Sequence, residues 1–367
     1  MRDDDDGRAL VVSDLHLGLG GVHDDFQADE EFAAFVAWGA ASGVRSLIVA
    51  GDALDFAAGW GRTKAGPGGR LSEGVAVDLV GRILAAHPQV TAALGCFAAA
   101  PGRRVVFIVG NHDMPFLFPN VQAAVRQRLG PGVEFHRRKW VAHGCRVEHG
   151  HHFEPANTFD PEHCWVCGAD EEPWSGGERQ LDLPWGTWLV ADYLARMEPF
   201  DPIAVRIRPV DRLLRWLLLH RPVLALRAML SFVGFVLRGR FLGSARRRER
   251  FRQTISVLRG ACMGCDYLDE ARSLLGAAGV HTVVLGHTHQ AGLWELDEGR
   301  VLNTGTWSTV AVPSGASVAL VRRLTFVLIR AVPDRRGEAA LMEWRPGLGA
   351  VVVRGEAPTP GAPDGEG

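Results

Sequence analysis

Five short clusters rich in Asp, His, Asn and Gly each follow a strand-like run, apolar in all but one, and this repeated arrangement constrains the fold more than any other feature. The clusters are Asp14-Leu15-His16, Gly51-Asp52-Ala53-Leu54-Asp55, Gly110-Asn111-His112-Asp113, His149-Gly150-His151 and Gly286-His287-Thr288-His289. The runs before them span 9–13, 46–50, 104–109, 146–148 and 281–285. Between them, apolar residues recur at helical spacing over 26–41 (Phe32, Phe35, Val36, Ala40), 72–100 with a break near Pro88, 120–129 and 269–278. Strands alternating with helices predict a largely parallel sheet in the first half. Further strand-like runs at 293–296, 301–303, 318–329 and 350–353 predict a second sheet packed on the first. In open α/β sheets, ligands bind outside the carboxyl ends of the strands, which is where every cluster stands.

The residue types at those ends suit metal chemistry. Imidazole and carboxylate together accept divalent first-row metals such as Mn²⁺, Fe²⁺, Zn²⁺ or Ni²⁺. In Asp14-x-His16 and His287-x-His289 the side chains are two apart, so on an extended strand each pair shares one face and can grip one ion. A carboxylate such as Asp52 can bridge two ions, and two ions can activate a water and hold a phosphate. A Gly-Asp after a strand, taken alone, reads as a turn.

In order and composition, the five clusters resemble the signature blocks of the calcineurin-like metallophosphoesterases. The resemblance covers about 1–155 and 266–310. It implies a four-layer α/β/β/α sandwich with a dinuclear metal centre. By motif position Asp14, His16, Asp52 and His289 would hold one metal. Asp52 would bridge to the second, completed by Asn111, His149 and His287. His112 matches the histidine that meets the phosphate and protonates the leaving group, and Asp55 the carboxylate that orients it. The nucleophile would be a metal-bound hydroxide. His149 and His151 compete for one ligand position, and the strand ending at Glu148 favours His149. One branch of the family, the UDP-2,3-diacylglucosamine pyrophosphohydrolases, shares the Asp-Leu-His opening and Gly-His-Thr-His close. That branch has Gly-Asn-Arg-Asp where this chain has His112, and His-Gly-Asp where it has His151.

The 367 residues allow one large domain or two ordinary ones. The expected division is a metallophosphoesterase core over 1–155 and 266–355, an Arg-rich helical insertion over 156–265, and a disordered tail over 356–367. The net charge of −2 hides an asymmetry, because residues 203–259 contain 14 Arg against Asp211 and Glu249. Helices are expected over 210–220 and 223–237. On the second, Arg227, Ser231, Gly234 and Arg238 form a narrow polar stripe. Two readings compete: a helical hairpin packed on the core with Arg in water, and a cap that meets an anionic membrane surface through 203–252. Nucleic acid is disfavoured, because the aromatics read as buried in apolar faces. Cys164-x-x-Cys167 and Cys262-x-x-Cys265 could hold a structural Zn²⁺ that clips the stems of the insertion. An acidic run at Asp3–Asp6 in place of a signal peptide, and no apolar segment of about 20 residues, point to a cytoplasmic protein, peripheral at a membrane if the cap reading holds. The expected function is hydrolysis of a phosphate ester or pyrophosphate. The alternatives are a nuclease-type phosphodiesterase and a catalytically silent scaffold on the same fold.

Overall fold

The computed structural model describes residues 7–22, 24–61, 70–166, 179–195, 216–241, 252, 267–314, 317–331 and 337–353. In chain order the strands are β1 (Arg8–Val12), β2 (Val44–Ala50), β3 (Arg70–Ser72), β4 (Arg104–Ile108), β5 (Val133–His136), β6 (Lys139–Ala142), β7 (Cys145–Glu148), β8 (Trp165–Val166), β9 (Gln180–Asp182), β10 (Thr282–Leu285), β11 (Gly292–Leu296), β12 (Gly299–Asn303), β13 (Val310–Ser314), β14 (Ser317–Val321), β15 (Thr325–Arg330), β16 (Glu338–Arg345) and β17 (Gly349–Val352). The helices are α1 (Asp29–Ala41), α2 (Phe56–Gly61), α3 (Glu73–Ala86), α4 (Pro88–Ala99), α5 (Pro119–Leu129), α6 (Trp185–Leu189), α7 (Pro222–Phe241) and α8 (Tyr267–Ser273). A π-helical turn, Val190–Leu194, continues α6.

The mixed α/β architecture rests on two large sheets. The first has the order β17-β16-β15-β1-β2-β4-β5, and the second β11-β12-β10-β7-β6. Strands β1, β2, β4 and β5 run parallel, while β15 joins β1 antiparallel. In the second sheet β10 runs parallel to both β7 and β12. Successive side chains of a strand point to opposite faces. Ala9, Val11, Ile48, Ala50, Val106 and Ile108 therefore meet Val147, Val284 and Leu302 of the second sheet in one apolar cluster. Leu10, Val12, Leu47, Val49, Val105 and Phe107 point the other way and pack with residues of α1, α3, α4 and α5. On the far face of the second sheet, Val283, Leu285 and Val301 pack with Ala271 of α8 and Leu275. Both faces of β1, β2 and β4 are covered, which explains their unbroken apolar runs.

Three sequence expectations change in detail. The run 318–329 is two strands, interrupted at Arg322-Arg323-Leu324: β14 forms an exposed hairpin with β13, and β15 is buried in the first sheet. The late strands do not form one separate sheet, because β15, β16 and β17 extend the first sheet and β10, β11 and β12 build the second. The helix over 269–278 ends at Ser273, with Gly276 left-handed at φ 79°. Within 156–265, β8 and β9 form a small sheet with β3. Residues 216–220 are helical and α7 covers 223–237, whereas 210–215, the Arg run 246–248 and the tail 356–367 lie outside the described residues. No described helix is long and apolar enough to cross a membrane.

Candidate metal centre

All five clusters sit in the loops that leave β1, β2, β4, β7 and β10 at their carboxyl ends. Backbone hydrogen bonds lock these loops together: Asp14 N donates to Gly51 O at 3.1 Å, His16 N to Asp52 O at 2.9 Å, and Gly286 N to His149 O at 3.0 Å. The sequence argument placed Asp14 and His16 on one face of an extended strand, but β1 ends at Val12. Asp14, His16, Asp52, His287 and His289 all have left-handed backbone, with φ of 51°, 50°, 52°, 71° and 61°. Non-glycine residues rarely adopt that conformation, and held strain of this kind concentrates at functional sites.

Asp14, His16 and His289 form one candidate ligand group and Asp52, His149 and His287 a second, each with one ligand atom per residue within 4.8 Å of the rest; His16, Asp55 and His112 meet the same spacing as a third, beside these two. His289 Nε2 lies 3.2 Å from Asp14 Oδ1 and 3.1 Å from His16 Nε2. Asp52 Oδ2 faces both groups, 3.2 Å from His149 Nε2 and 3.7 Å from His16 Nε2. Asn111 Oδ1 joins the second group at 3.2 Å from His149 Nε2. His149 belongs to this group and His151 does not. His151 stacks on Phe159 instead, and burial followed by the charge of His149 pushes its pKa well below the ordinary value.

The donor set fits divalent cations. Asp14 Oδ1 is buried and accepts no hydrogen bond, although three potential ligands converge there. Burial alone would lower the pKa of His149, but Asp52 and Asp14 raise it to about 9. The opposing burial penalty on Asp52 is likewise outweighed, first by His149 and then by His112, so its carboxyl is held far below the usual range. Such a site favours positive charge. The ring orientation of His149 is fixed as well: its Nδ1 lies 2.9 Å from Ala50 O and donates to it, which leaves Nε2 as the atom that faces Asp52 and Asn111.

His112 stands beside both groups and itself clusters with His16 and Asp55. Its Nδ1 is 3.1 Å from Asp55 Oδ1, and its ring meets His16 edge-on at 4.7 Å between centroids. Burial opposes the imidazolium, but Asp55 and Asp52 hold its pKa above the ordinary value. Asp55 is itself fixed by the Ala58 N–H at the start of α2, 2.8 Å away. The buried Asp113 carboxylate clasps Gly110 N at 2.6 Å and Ala53 N at 2.7 Å, so it ties the second cluster to the third. Burial and the nearby Asp52 push its pKa up to about 7.

Sequence reasoning missed the residues that back this centre. Glu154 Oε2 lies 2.7 Å from His287 Nε2 and also accepts from Asn157 Nδ2 at 2.7 Å. Asn157 Oδ1 in turn accepts from Asn111 Nδ2 at 3.3 Å. Thr187 Oγ1 of α6 donates to Asn111 O at 2.9 Å, and Tyr267 Oη of α8 to Gly286 O at 2.9 Å. The only local signal for Glu154 and Asn157 is their place just after the fourth cluster. Thr187 and Tyr267 reach the site from distant segments. The cysteine site finds no support. Cys164 is buried, with a thiol that burial pushes up to about 12, and Cys167, Cys262 and Cys265 lie outside the described residues.

The two groups open into a cleft of about 520 Å³. Its polar wall carries His16, Asp52, Asn111, His112, His287 and His289, and its other wall is largely apolar, with Leu19, Phe153, Ala156, Leu189, Val190 and Leu194.

No family model and no curated protein matches the sequence. Solved structures that align with it include a conserved uncharacterized protein, predicted phosphoesterase, of Streptococcus pneumoniae, at 12% identity over 95% of this chain and 98% of that one, with a TM-score of 0.28. A dimetal phosphatase of Danio rerio aligns at 11% identity over 94% and 96%, with a TM-score of 0.35. Vps29 of Entamoeba histolytica, complexed with zinc, aligns at 11% identity over 94% and 98%, with a TM-score of 0.29. Superpositions this loose carry no argument about the site, which rests on the geometry above. In the order and composition of its five clusters, the chain resembles the calcineurin-like metallophosphoesterases.

Proposed function

We propose that the chain is a phosphoric ester hydrolase that works with two divalent metal ions. The observation that carries this reading is the position of Asp52, whose one carboxylate oxygen faces both donor groups at the floor of the cleft. In this reading Asp14, His16, Asp52 and His289 hold one ion, and Asp52, Asn111, His149 and His287 the other. Such a pair supplies charge stabilisation for a phosphoryl oxygen and an activated water. The chain's own groups do the rest. Asp55 orients His112 and keeps it protonated, so that its free ring nitrogen can give a proton to the departing oxygen. Ala50 O and Glu154 fix the rings of His149 and His287 from behind. The apolar wall receives the part of the substrate that carries the phosphate.

Turnover of a nitrophenyl phosphate monoester and a bis-nitrophenyl diester with added Mn²⁺ tests the proposal, with Asp52→Asn beside the parent protein. The expected result is metal-dependent release of nitrophenol by the parent, and loss of both turnover and bound metal in the variant. Full activity in Asp52→Asn would sink the bridging role. A parent protein that binds two ions yet hydrolyses neither ester would favour the scaffold reading.

A further inference from the structure

Helix α7 presents an apolar face to solvent. Val223 is 71% exposed, Leu226 51%, Leu230 60%, Val233 45% and Leu237 44%, and Leu219 in the helical turn just before it is 77% exposed. At 100° per residue these six side chains fall within an arc of roughly 80°. Arg227, about 40° beyond the edge of that arc, and Ser231, about 80° beyond it, are exposed. The opposite side of the helix is anchored. Phe235 stacks on Trp188 at 5.0 Å, Phe232 meets Tyr193 at 5.7 Å, and Tyr193 Oη donates to Ala228 O at 3.1 Å. The segment that holds α7 in this way, α6 and its π-helical turn, also supplies Leu189, Val190 and Leu194 to the apolar wall of the cleft.

A continuous apolar face this exposed marks an interaction surface. The charge of its segment, read from the sequence, selects the occupant. Residues 212–248 contain nine Arg and no Asp or Glu. A second copy docked through the same face would set positive charge on positive charge, whereas an anionic lipid surface neutralises it. No described helix can cross a bilayer, so the helix would lie on the surface rather than span it. We infer that the outer face of α7 docks on an anionic lipid bilayer and so presents the cleft to a phosphate carried by a lipid. The second half of this inference rests on the hydrolase reading; the docking itself does not.

The test is flotation of the full chain with vesicles of phosphatidylcholine and phosphatidylglycerol at 3:1, and with phosphatidylcholine alone. Leu226→Gln/Leu230→Gln/Val233→Gln is the main variant, and Arg227→Glu the second. All four positions are exposed, so the fold has no need of these side chains, and thermal melting checks that it persists. The expected results are binding to the anionic vesicles, at least tenfold weaker binding by the triple variant, and weaker, less salt-sensitive binding by Arg227→Glu. Absence of parent binding, or equal binding by the triple variant, would overturn the inference. So would sedimentation showing a dimer that the triple variant breaks while vesicles bind neither protein, because the face would then join two copies. A parallel assay separates the two readings. With Mn²⁺, the triple variant should keep its turnover of the soluble aryl phosphate and lose that of a lipid phosphomonoester placed in the vesicles. If the parent binds vesicles but releases phosphate from neither substrate, the hydrolase reading and the lipid-phosphate half fall while the docking stands.

Discussion

Gly110→Ala isolates the close packing that holds Asp52 in place. A Cβ on Gly110 would stand 2.2 Å from Asp52 Oδ1 and 2.6 Å from Asp52 N. Gly110 is not in the left-handed region, so the substitution adds little backbone strain of its own. Ordinary non-bonded separations require the carboxylate oxygen to retreat by at least about 1 Å. The oxygen cannot do so freely, because the backbone N–H of His112 holds it at 2.9 Å. Metal–ligand bonds tolerate errors of only about 0.2 Å, so a shift of this size removes Asp52 from both groups at once. Disturbing even an outer partner of a ligand typically costs about 10–100-fold in metal affinity, and here the ligand itself moves. Overpacking adds a cost of about 1–3 kcal/mol to folding. Melting curves separate the two effects. In chelator, the variant should lose only the overpacking cost. With Mn²⁺ at about 100 times the parent's Kd, the parent gains about 2.7 kcal/mol, while a variant bound 100-fold more weakly gains about 0.4 kcal/mol. Equal Mn²⁺ stabilisation of the two proteins would refute both the steric reasoning and the place of Asp52 in the centre.

Three further outcomes follow from the geometry. Gly95→Ala, inside α4 with nothing nearer than 3.8 Å to the new methyl, should raise stability by about 0.5–1 kcal/mol; a lower denaturant midpoint would contradict the space found there. His87 is buried between Asp24 at 3.2 Å and Asp29 at 2.9 Å. Burial works against its charge, but Asp24 and then Asp29 raise its pKa above 6.5, so its stabilising charge is fully present below pH 6.5 and lost as pH climbs through the raised value. His87→Gln should lose about 1.5–3 kcal/mol at pH 6 and show a flatter decline above pH 6.5, and parallel pH–melting profiles would refute the ion pair. Asp55→Asn should lower kcat about 10–100-fold with little change in bound metal, and loss of metal with kcat per bound ion unchanged would make Asp55 a structural residue only.

The parts of the fold that are plain in the sequence are those set by local pattern. Strands β1, β2, β4 and β10 read directly from apolar runs, because each run is largely buried on both faces and stops at a polar cluster; β7, with Arg146 and Glu148, reads only from its place before the fourth cluster. Pairings between distant segments leave no such trace. The antiparallel addition of β15 to β1 joins Arg8 with Arg330, across almost the whole chain. Nothing near Asn111 announces that Thr187 will hold its carbonyl, and nothing near His287 announces Glu154. The pairs two apart do come together, but not as the sequence suggests: left-handed backbone at Asp14, His16, His287 and His289, not an extended strand, turns them toward one another.

The glycines of the clusters carry the sharpest lesson of this kind. In sequence, a glycine before Asp, Asn or His at a strand end reads as a turn former. Gly51, at φ 86°, and Gly150, at φ 99°, need the left-handed freedom of glycine; Gly110 and Gly286 do not. What Gly51, Gly110 and Gly286 all supply is clearance at a neighbouring cluster. A Cβ on Gly51 would strike the His149 ring at 2.4 Å, one on Gly110 the Asp52 carboxylate at 2.2 Å, and one on Gly286 the Ser13 hydroxyl at 2.3 Å and the Asp14 carboxylate at 2.6 Å. Each glycine makes room for a ligand that another cluster provides, and two of the three contacts cross from one sheet to the other. The clusters therefore function only as a set. A single Gly-Asp in isolation has no site to make room for, whereas five clusters in register across two sheets clear space for one another. That mutual dependence is why their joint presence in the sequence points to a candidate metal centre that no one of them points to alone.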